Sequence, residues 1–279
     1  MTDYAKADIK AALDRLPLER GDVVFCHSNL GFFGRGELIG KSDELCEMFF
    51  DCIMERIGPN GTLCVPTFTY SFSKPEPEVF YPAETPAPKM GMLAEWVRTN
   101  PYADRSDDPC YSVAVVGDQR DKILDSLAEN SFDAVASFFA RLRYWDGKVL
   151  NLNFDAGSTF VHWVERELYV PYRFDKTFVG ACKSVSHALD HYIEWKVRST
   201  IFVRYLDDAL EAEFTAFDRL ARERGMFKTE SLGRGEMGVI SAADTYALIE
   251  ETLPSRPWFL TKAEVLGVTP DPTKFRELR

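Results

Sequence analysis

The sequence has no CxxC and no paired zinc-ligand spacing, although it holds six cysteines (Cys26, Cys46, Cys52, Cys64, Cys110 and Cys182). A structural zinc site and a dithiol redox motif both need such spacing, so neither is expected, and no metal is assigned. GxGxxG and GxxxxGK[ST] are also missing, which removes the dinucleotide fingerprint and the P-loop; "GFFGRG" is only a loose likeness. No apolar run approaches membrane-spanning length, so membrane insertion is not expected. There is no block of Lys and Arg, and the net charge is −11, which argues against a nucleic-acid partner. Only four histidines occur, so the surroundings of each one matter.

What is present suits a folded α/β protein. The 279 residues allow one large domain, or one domain with an appendage. With 46% hydrophobic residues and 21 Phe, the chain can bury a sizeable core. Its negative field would attract a cationic substrate. The segment "MTDYAKADIKAALDRL" reads as an amphipathic helix without the apolar core of a secretory signal. The expected location is therefore the cytoplasm, with reduced thiols.

Helical spacing is clear at 4–16 and at 42–57, where Leu45, Phe49, Ile53 and Ile57 share a face. Apolar runs predict strands at Val23–Cys26, "TLCVPTFTY", "VAVVG" and "KVLNLNF". The first two are followed by polar loops, "HSNL" and the residues around Thr69. Residues 71–89 contain five prolines and predict a long irregular excursion of the functional kind. "SVSHALDHYIEWKVRST" fits a helix or an irregular strand. "ALEAEFTAFDRLARERG" predicts a helix, and "GEMGVISAADTYALIEETL" a strand followed by a helix. The order of elements predicts an α/β layer architecture. A change of character near residue 180 suggests a core over 1–180 and a C-terminal part over 181–279, or one continuous domain.

The chemistry-bearing stretch is "DAGSTFVHWVERELYVPYR". Ser158 or Thr159 fits a helix N-cap, placing His162 in the first turns. Val161, Val164 and Leu168 make an apolar stripe, and His162, Glu165 and Tyr169 lie on the adjoining face. The positive end of the helix dipole favours neutral imidazole, and Glu165 fits as acceptor of the other ring N–H. Taken alone, the segment also fits an incidental histidine beside a surface glutamate. Cys26 and His27 are adjacent in a strand, so they face opposite ways and make a poor dyad. Ser28 at the strand end fits either an oxygen-rich ligand or a simple turn. His187 and His191 have helical metal-ligand spacing but no third partner.

Five segments in order resemble the aminoglycoside 3-N-acetyltransferases and their sugar N-acyltransferase relatives: "GDVVFCHSNLGFFG", "GPNGTLCVPTFTY", "FYPAETPAPKMGMLAEWVR", "RSDDPCYSV" and "DGKVLNLNFDAGSTFVHWVERELYVPYR". They cover residues 21–173, and the remainder matches loosely. The resemblance implies a three-layer α/β/α fold with a central mixed sheet, distinct from the GNAT acetyltransferases. It implies direct acyl transfer from acetyl-CoA or another acyl-CoA to an amino sugar, without a metal. By position it implies His162 as base and Glu165 as its acidic partner. His27, Ser28, Asn29, Leu30, Gly31, Thr67, Arg105 and Ser106 fall to the CoA site, and Thr69, Tyr70, Glu95 and Asp108 to the acceptor. Many antibiotic-modifying members have His-Pro where this chain has Asp108-Pro109. That departure leans the expectation toward an amino-deoxysugar acceptor of surface-polysaccharide biosynthesis, free or nucleotide-linked, with Arg141, Arg143 and Arg173 available for a diphosphate. The alternatives are an aminoglycoside acceptor with antibiotic resistance, a non-catalytic CoA- or sugar-binding relative, and a Cys26–His27 hydrolase. A homo-oligomer stays open.

Overall fold

The computed structural model describes residues 2–37, 40–125, 127–186 and 191–278. Its strands are β1 (Val23–Ser28), β2 (Thr62–Pro66), β3 (Asp104–Arg105), β4 (Val113–Gly117), β5 (Lys148–Leu152), β6 (Arg173–Ser186), β7 (His191–Arg204), β8 (Lys228–Leu232) and β9 (Gly235–Ser241). Its α-helices are α1 (Lys6–Arg15), α2 (Ser42–Ile57), α3 (Met92–Arg98), α4 (Arg120–Leu124), α5 (Phe138–Tyr144), α6 (Phe160–Glu167), α7 (Thr215–Glu223), α8 (Ala242–Thr252) and α9 (Lys262–Leu266). Among the described residues no helix is long and apolar enough to cross a membrane.

Seven strands form one mixed sheet in the order β3-β4-β2-β1-β5-β9-β8. β1 runs parallel to both β2 and β5, and the outer pairings are antiparallel. The parallel centre explains the near-continuous apolar runs "VVFC" and "TLCV", because both faces of those strands are covered. On one face Val24, Cys26, Leu63 and Leu150 pack against α1, α2 and α3. On the other, Phe25, Cys64, Val149 and Ile240 pack against α5, α6, α7 and α8. The result is the three-layer α/β/α arrangement expected from sequence.

Because β1, β2 and β5 are parallel, their carboxyl ends open on one edge of the sheet, where α/β proteins gather their sites. The segments that follow them, from Asn29, Thr67 and Asn153, therefore converge. Helix α6 leaves this edge directly after β5. β1 extends to Ser28, so His27 and Ser28 belong to the strand and not to a loop.

Beyond residue 170 the chain makes a long antiparallel hairpin of β6 and β7, registered from Arg173↔Arg204 to Ser186↔His191. The described parts of "SVSHALDHYIEWKVRST", residues 184–186 and 191–200, thus lie in β6 and β7. His187 lies outside the described residues, and His191 is in a strand, where helical spacing has no meaning. Residue 180 falls inside β6, and β9 returns to pair with β5 in the main sheet.

Candidate active site

His162 occupies the first turn of α6, and its Nδ1 lies 2.6 Å from Glu165 Oε2. The three-residue step on a helix brings the two side chains together. Glu165 is fully buried, so it is not a surface glutamate. Tyr172 donates its hydroxyl to Glu165 Oε1 at 2.8 Å, and Arg173 Nε stands 2.8 Å from Oε2. Burial pushes the Glu165 carboxyl up, but Arg173 and His162 outweigh that and hold it below its ordinary value. Burial, and then the Arg173 cation, lower His162 below the usual imidazole value, against the opposing pull of Glu165. The imidazole is therefore neutral at neutral pH. With Nδ1–H donated to Glu165, the Nε2 lone pair is left for a ligand proton.

Two details of the α6 reading need correction. Thr159 is the N-cap residue, but its backbone is helical and its side chain makes no cap bond. Tyr169 is not on the face of His162; it is 90% exposed, past the helix end, with φ +53°. Pro171 and the turn into β6 supply Tyr172 in its place.

The wall around His162 is aromatic. Phe132 and Phe214 lie 6.4 and 6.0 Å from its ring, and Tyr111 packs on Phe132 at 4.9 Å. Tyr111 meets Tyr70 at 5.2 Å, and Tyr70 has φ +52°. A left-handed backbone at a bulky residue is uncommon and marks a constrained site. Thr69 and Tyr70 line a groove of ≈480 Å³ under the proline-rich segment. A chain of ring contacts through Tyr111 and Phe132 runs from the wall of this groove to His162. Sequence reasoning missed these rings and Tyr172, because none has a signature spacing and the contacts cross distant segments.

At the end of β1, His27 and Ser28 face opposite sides. The His27 ring packs on Phe25 at 4.6 Å, on the α6 face of the sheet. Burial pushes it down to about 4, and its Nε2 has no partner. It presents no cation to a cofactor phosphate. Asn151, its register partner on β5, is also buried; its amide donates to Asp155 O and Gly157 O in the loop leading to α6. Cys26 faces α2, away from His27, and burial raises its thiol further, which removes the Cys–His hydrolase reading. Ser28 faces α3, where Gly91 (φ +94°) comes so close that a Cβ there would stand 2.8 Å from Ser28 O. The Asn29 backbone is bound to Leu152 O and Asn153 Nδ2. Leu30 is buried, and Gly31 has open space around it.

Another set of predicted residues forms a separate cluster. Arg105 donates through Nε to Thr67 Oγ1 and Ser112 Oγ, and through its terminal nitrogens to the carbonyls of Pro82, Thr85 and Thr67. Burial and Arg98 push it down to about 9. Its fork is thus occupied by the protein and pins the 71–89 excursion to the sheet edge; it is not presented to a cofactor. Glu95 accepts from Arg98 and from Ala87 N, and holds the same excursion. Ser106 Oγ accepts from Val113 N and extends the β3–β4 pairing. These three residues are struts.

Asp108 Oδ1 accepts from Cys110 N and Tyr111 N, closing the turn, and burial raises its carboxyl. It borders a cavity of ≈240 Å³ with Asp107, Glu129 and Arg198. The arginine trio does not assemble. Arg141 binds Lys122 O and Ile123 O, Arg143 lies over Tyr246, and Arg173 is buried against Glu165.

The family model described as aminoglycoside 3-N-acetyltransferase matches residues 26–254. No curated protein sequence matches the chain. Among solved structures, aminoglycoside acetyltransferase AAC(3)-IVa as the apoenzyme superposes with TM-score 0.71 at 22% identity, covering 99% of this chain and 98% of that one. AAC-IIIb in binary complex with CoASH gives 0.71 at 20% identity, with 90% and 97% covered. AAC-VIa bound to sisomicin gives 0.70 at 20% identity, with 91% and 98% covered. At these identities the likeness of the structures establishes the fold.

Proposed function

Since the chain belongs to the aminoglycoside 3-N-acetyltransferase family and is an acyl-CoA-dependent N-acyltransferase, we propose that it acylates an amine of an aminoglycoside-type amino sugar, with His162 as general base. The observation that carries this reading is the imidazole held by a buried carboxylate at the edge where three parallel strands end. A sugar amine is largely protonated at neutral pH and cannot attack in that form. His162 Nε2 takes one proton from the ammonium group, the freed nitrogen lone pair forms the C–N bond at the thioester carbon, the C–S bond breaks, and the second proton lost by the nitrogen leaves with the CoA sulfur as the thiol. General-base assistance of this kind is worth about 10²–10⁴-fold. The imidazolium that results is stabilised by Glu165.

Acyl-CoA supplies the activated acyl group. Ser28 at the end of β1, Asn29, Leu30 and Gly31 after it, and Thr69 after β2 are the residues that would hold its arm; Thr67 is fully buried, with its hydroxyl bound by Arg105 and Ser112, and is not offered to it. The open space at Gly31 and the groove beside Tyr70 fit that use.

The acceptor is cationic on this reading. Phe214, which flanks His162, is preceded by Glu213, and Asp155 is raised by burial and then by Asp218 and Glu213. Carboxylates that repel one another gain from a nearby ammonium group. AAC-VIa has been solved with sisomicin, and AAC(3)-IVa as a His-to-Ala mutant with apramycin. The lean toward a polysaccharide amino-deoxysugar rested on Asp108, whose Oδ1 serves its own turn, and the arginines that would have met a diphosphate do not assemble. The aminoglycoside acceptor is better supported.

The test is thiol release from acetyl-CoA against a panel of aminoglycosides and of nucleotide-linked amino sugars. Turnover confined to aminoglycosides is the expected result. His162→Ala should lose at least about 10²-fold in kcat with CoA affinity kept. Near wild-type turnover in that variant overturns the base assignment. CoA binding without thiol release on any amine would favour the non-catalytic reading.

A further inference from the structure

Glu165 Oε2 is shared. His162 Nδ1 reaches it at 2.6 Å, and Arg173 Nε stands 2.8 Å away as an ion pair whose N–H is not aligned into a hydrogen bond; the Arg173 side chain is only 7% exposed. The other carboxylate oxygen is held by Tyr172. Arg173 opens β6, and its Nη1 also reaches Phe202 O on β7. The histidine–carboxylate pair is thereby tied to the base of the hairpin.

Resting on the reading of His162 as base, we propose that Arg173 is a positioning residue for His162, acting through the shared oxygen of Glu165: it aims the carboxylate that orients the imidazole, and it places a permanent cation beside the pair. The charges make the second part concrete. Glu165⁻ and Arg173⁺ balance while the imidazole is neutral. Protonating His162, whose side chain is only 16% exposed, then leaves an uncompensated positive charge in a largely desolvated site. Without Arg173, the imidazolium would itself be the counter-ion of Glu165, and the free base would be available only at higher pH. The other groups facing the ring do not supply a cation. Phe132 and Phe214 are uncharged. Tyr172 and Tyr111 are buried, raised well above the ordinary phenol value by desolvation, and stay neutral.

The experiment follows the ring nitrogens of His162 by NMR titration of the full-length protein, beside the pH profile of acyl transfer. Wild-type His162 should titrate below free imidazole. In Arg173→Met its midpoint should rise by about one unit. The acid limb of kcat/KM should move up with it, and KM for acyl-CoA should stay unchanged. Arg173→Lys should keep the midpoint near wild type but lower kcat, because a point cation does not replace the planar guanidinium. A merely structural arginine would lower activity equally at every pH. An unshifted midpoint in folded Arg173→Met overturns the proposal. So does a wild-type midpoint above free imidazole, a measurement that needs no variant. The titration reads the coupling without turnover, so active His162→Ala would remove the base reading and leave this result standing.

Discussion

His27 and His162 are two half-buried imidazoles on one side of the sheet, and desolvation is the first cause of the low value in each. His27 is pushed down to about 4, and His162 is lowered by burial and by Arg173. Below the unperturbed value of about 6.5 the unfolded chain takes up protons on these rings that the folded chain refuses. Stability therefore falls as pH drops through that value. Glu165 acts in the same direction at lower pH. Its folded carboxyl is held below the ordinary value, so its contribution is present above the unfolded value and lost as pH falls through the folded one. The melting temperature should accordingly decline from about pH 6.5 toward pH 4. His27→Gln should flatten part of that slope. An unchanged slope in the variant would show that His27 is not buried neutral.

Helix α6 and the loop before it turn these residues into a site. Val161 and Val164 bury their side chains in the core beside Phe160. That fixes the helix and leaves His162 on its remaining face. Asn151 pins the loop through Asp155 O and Gly157 O, and Ala156 N is held by Asp218. Gly157 has no room for a side chain: a Cβ would stand 2.2 Å from Phe214 Cδ2 and 2.7 Å from its Cβ. Since Phe214 flanks the His162 ring, Gly157→Ala should do two things. It should cost about 1–3 kcal/mol by overpacking, read by denaturant unfolding, and it should lower kcat more than KM for acyl-CoA. A variant with normal stability and kcat would show that the loop yields without moving Phe214.

Over the whole molecule the dominant property is the net charge of −11. A multiply cationic acceptor is drawn to such a surface, and salt screens the attraction over a Debye length of about 10 Å at 0.1 M. KM for an aminoglycoside should rise between about 0.05 and 0.5 M KCl with little change in kcat. A nucleotide-linked sugar carries negative phosphates, so its KM should stay flat or fall. The two responses have opposite sign, which makes salt dependence a second discriminator of the acceptor, independent of the turnover panel.

Much of this was legible in the chain itself. Apolar runs marked β1, β2, β4 and β5, and helical spacing placed α2 at 42–57, because period and burial are local properties of sequence. The His162–Glu165 contact was legible for the same reason, being a three-residue step on one helix. The struts were not. Arg105, Glu95 and Ser106 carry polar groups that suit a cofactor, and only the folded chain shows those groups bound to carbonyls and amides from other segments. The long hairpin was ambiguous because two strands that pair mainly with each other need not alternate like half-buried ones. The sequence determined which residues can do chemistry and which local elements carry them. The tertiary structure decided that Glu165 is buried, that Arg173 and Tyr172 close around it, and that aromatic side chains from distant segments wall in His162. Those contacts set the charge state of the base, and they depend on the desolvation and long-range packing that only the completed fold creates.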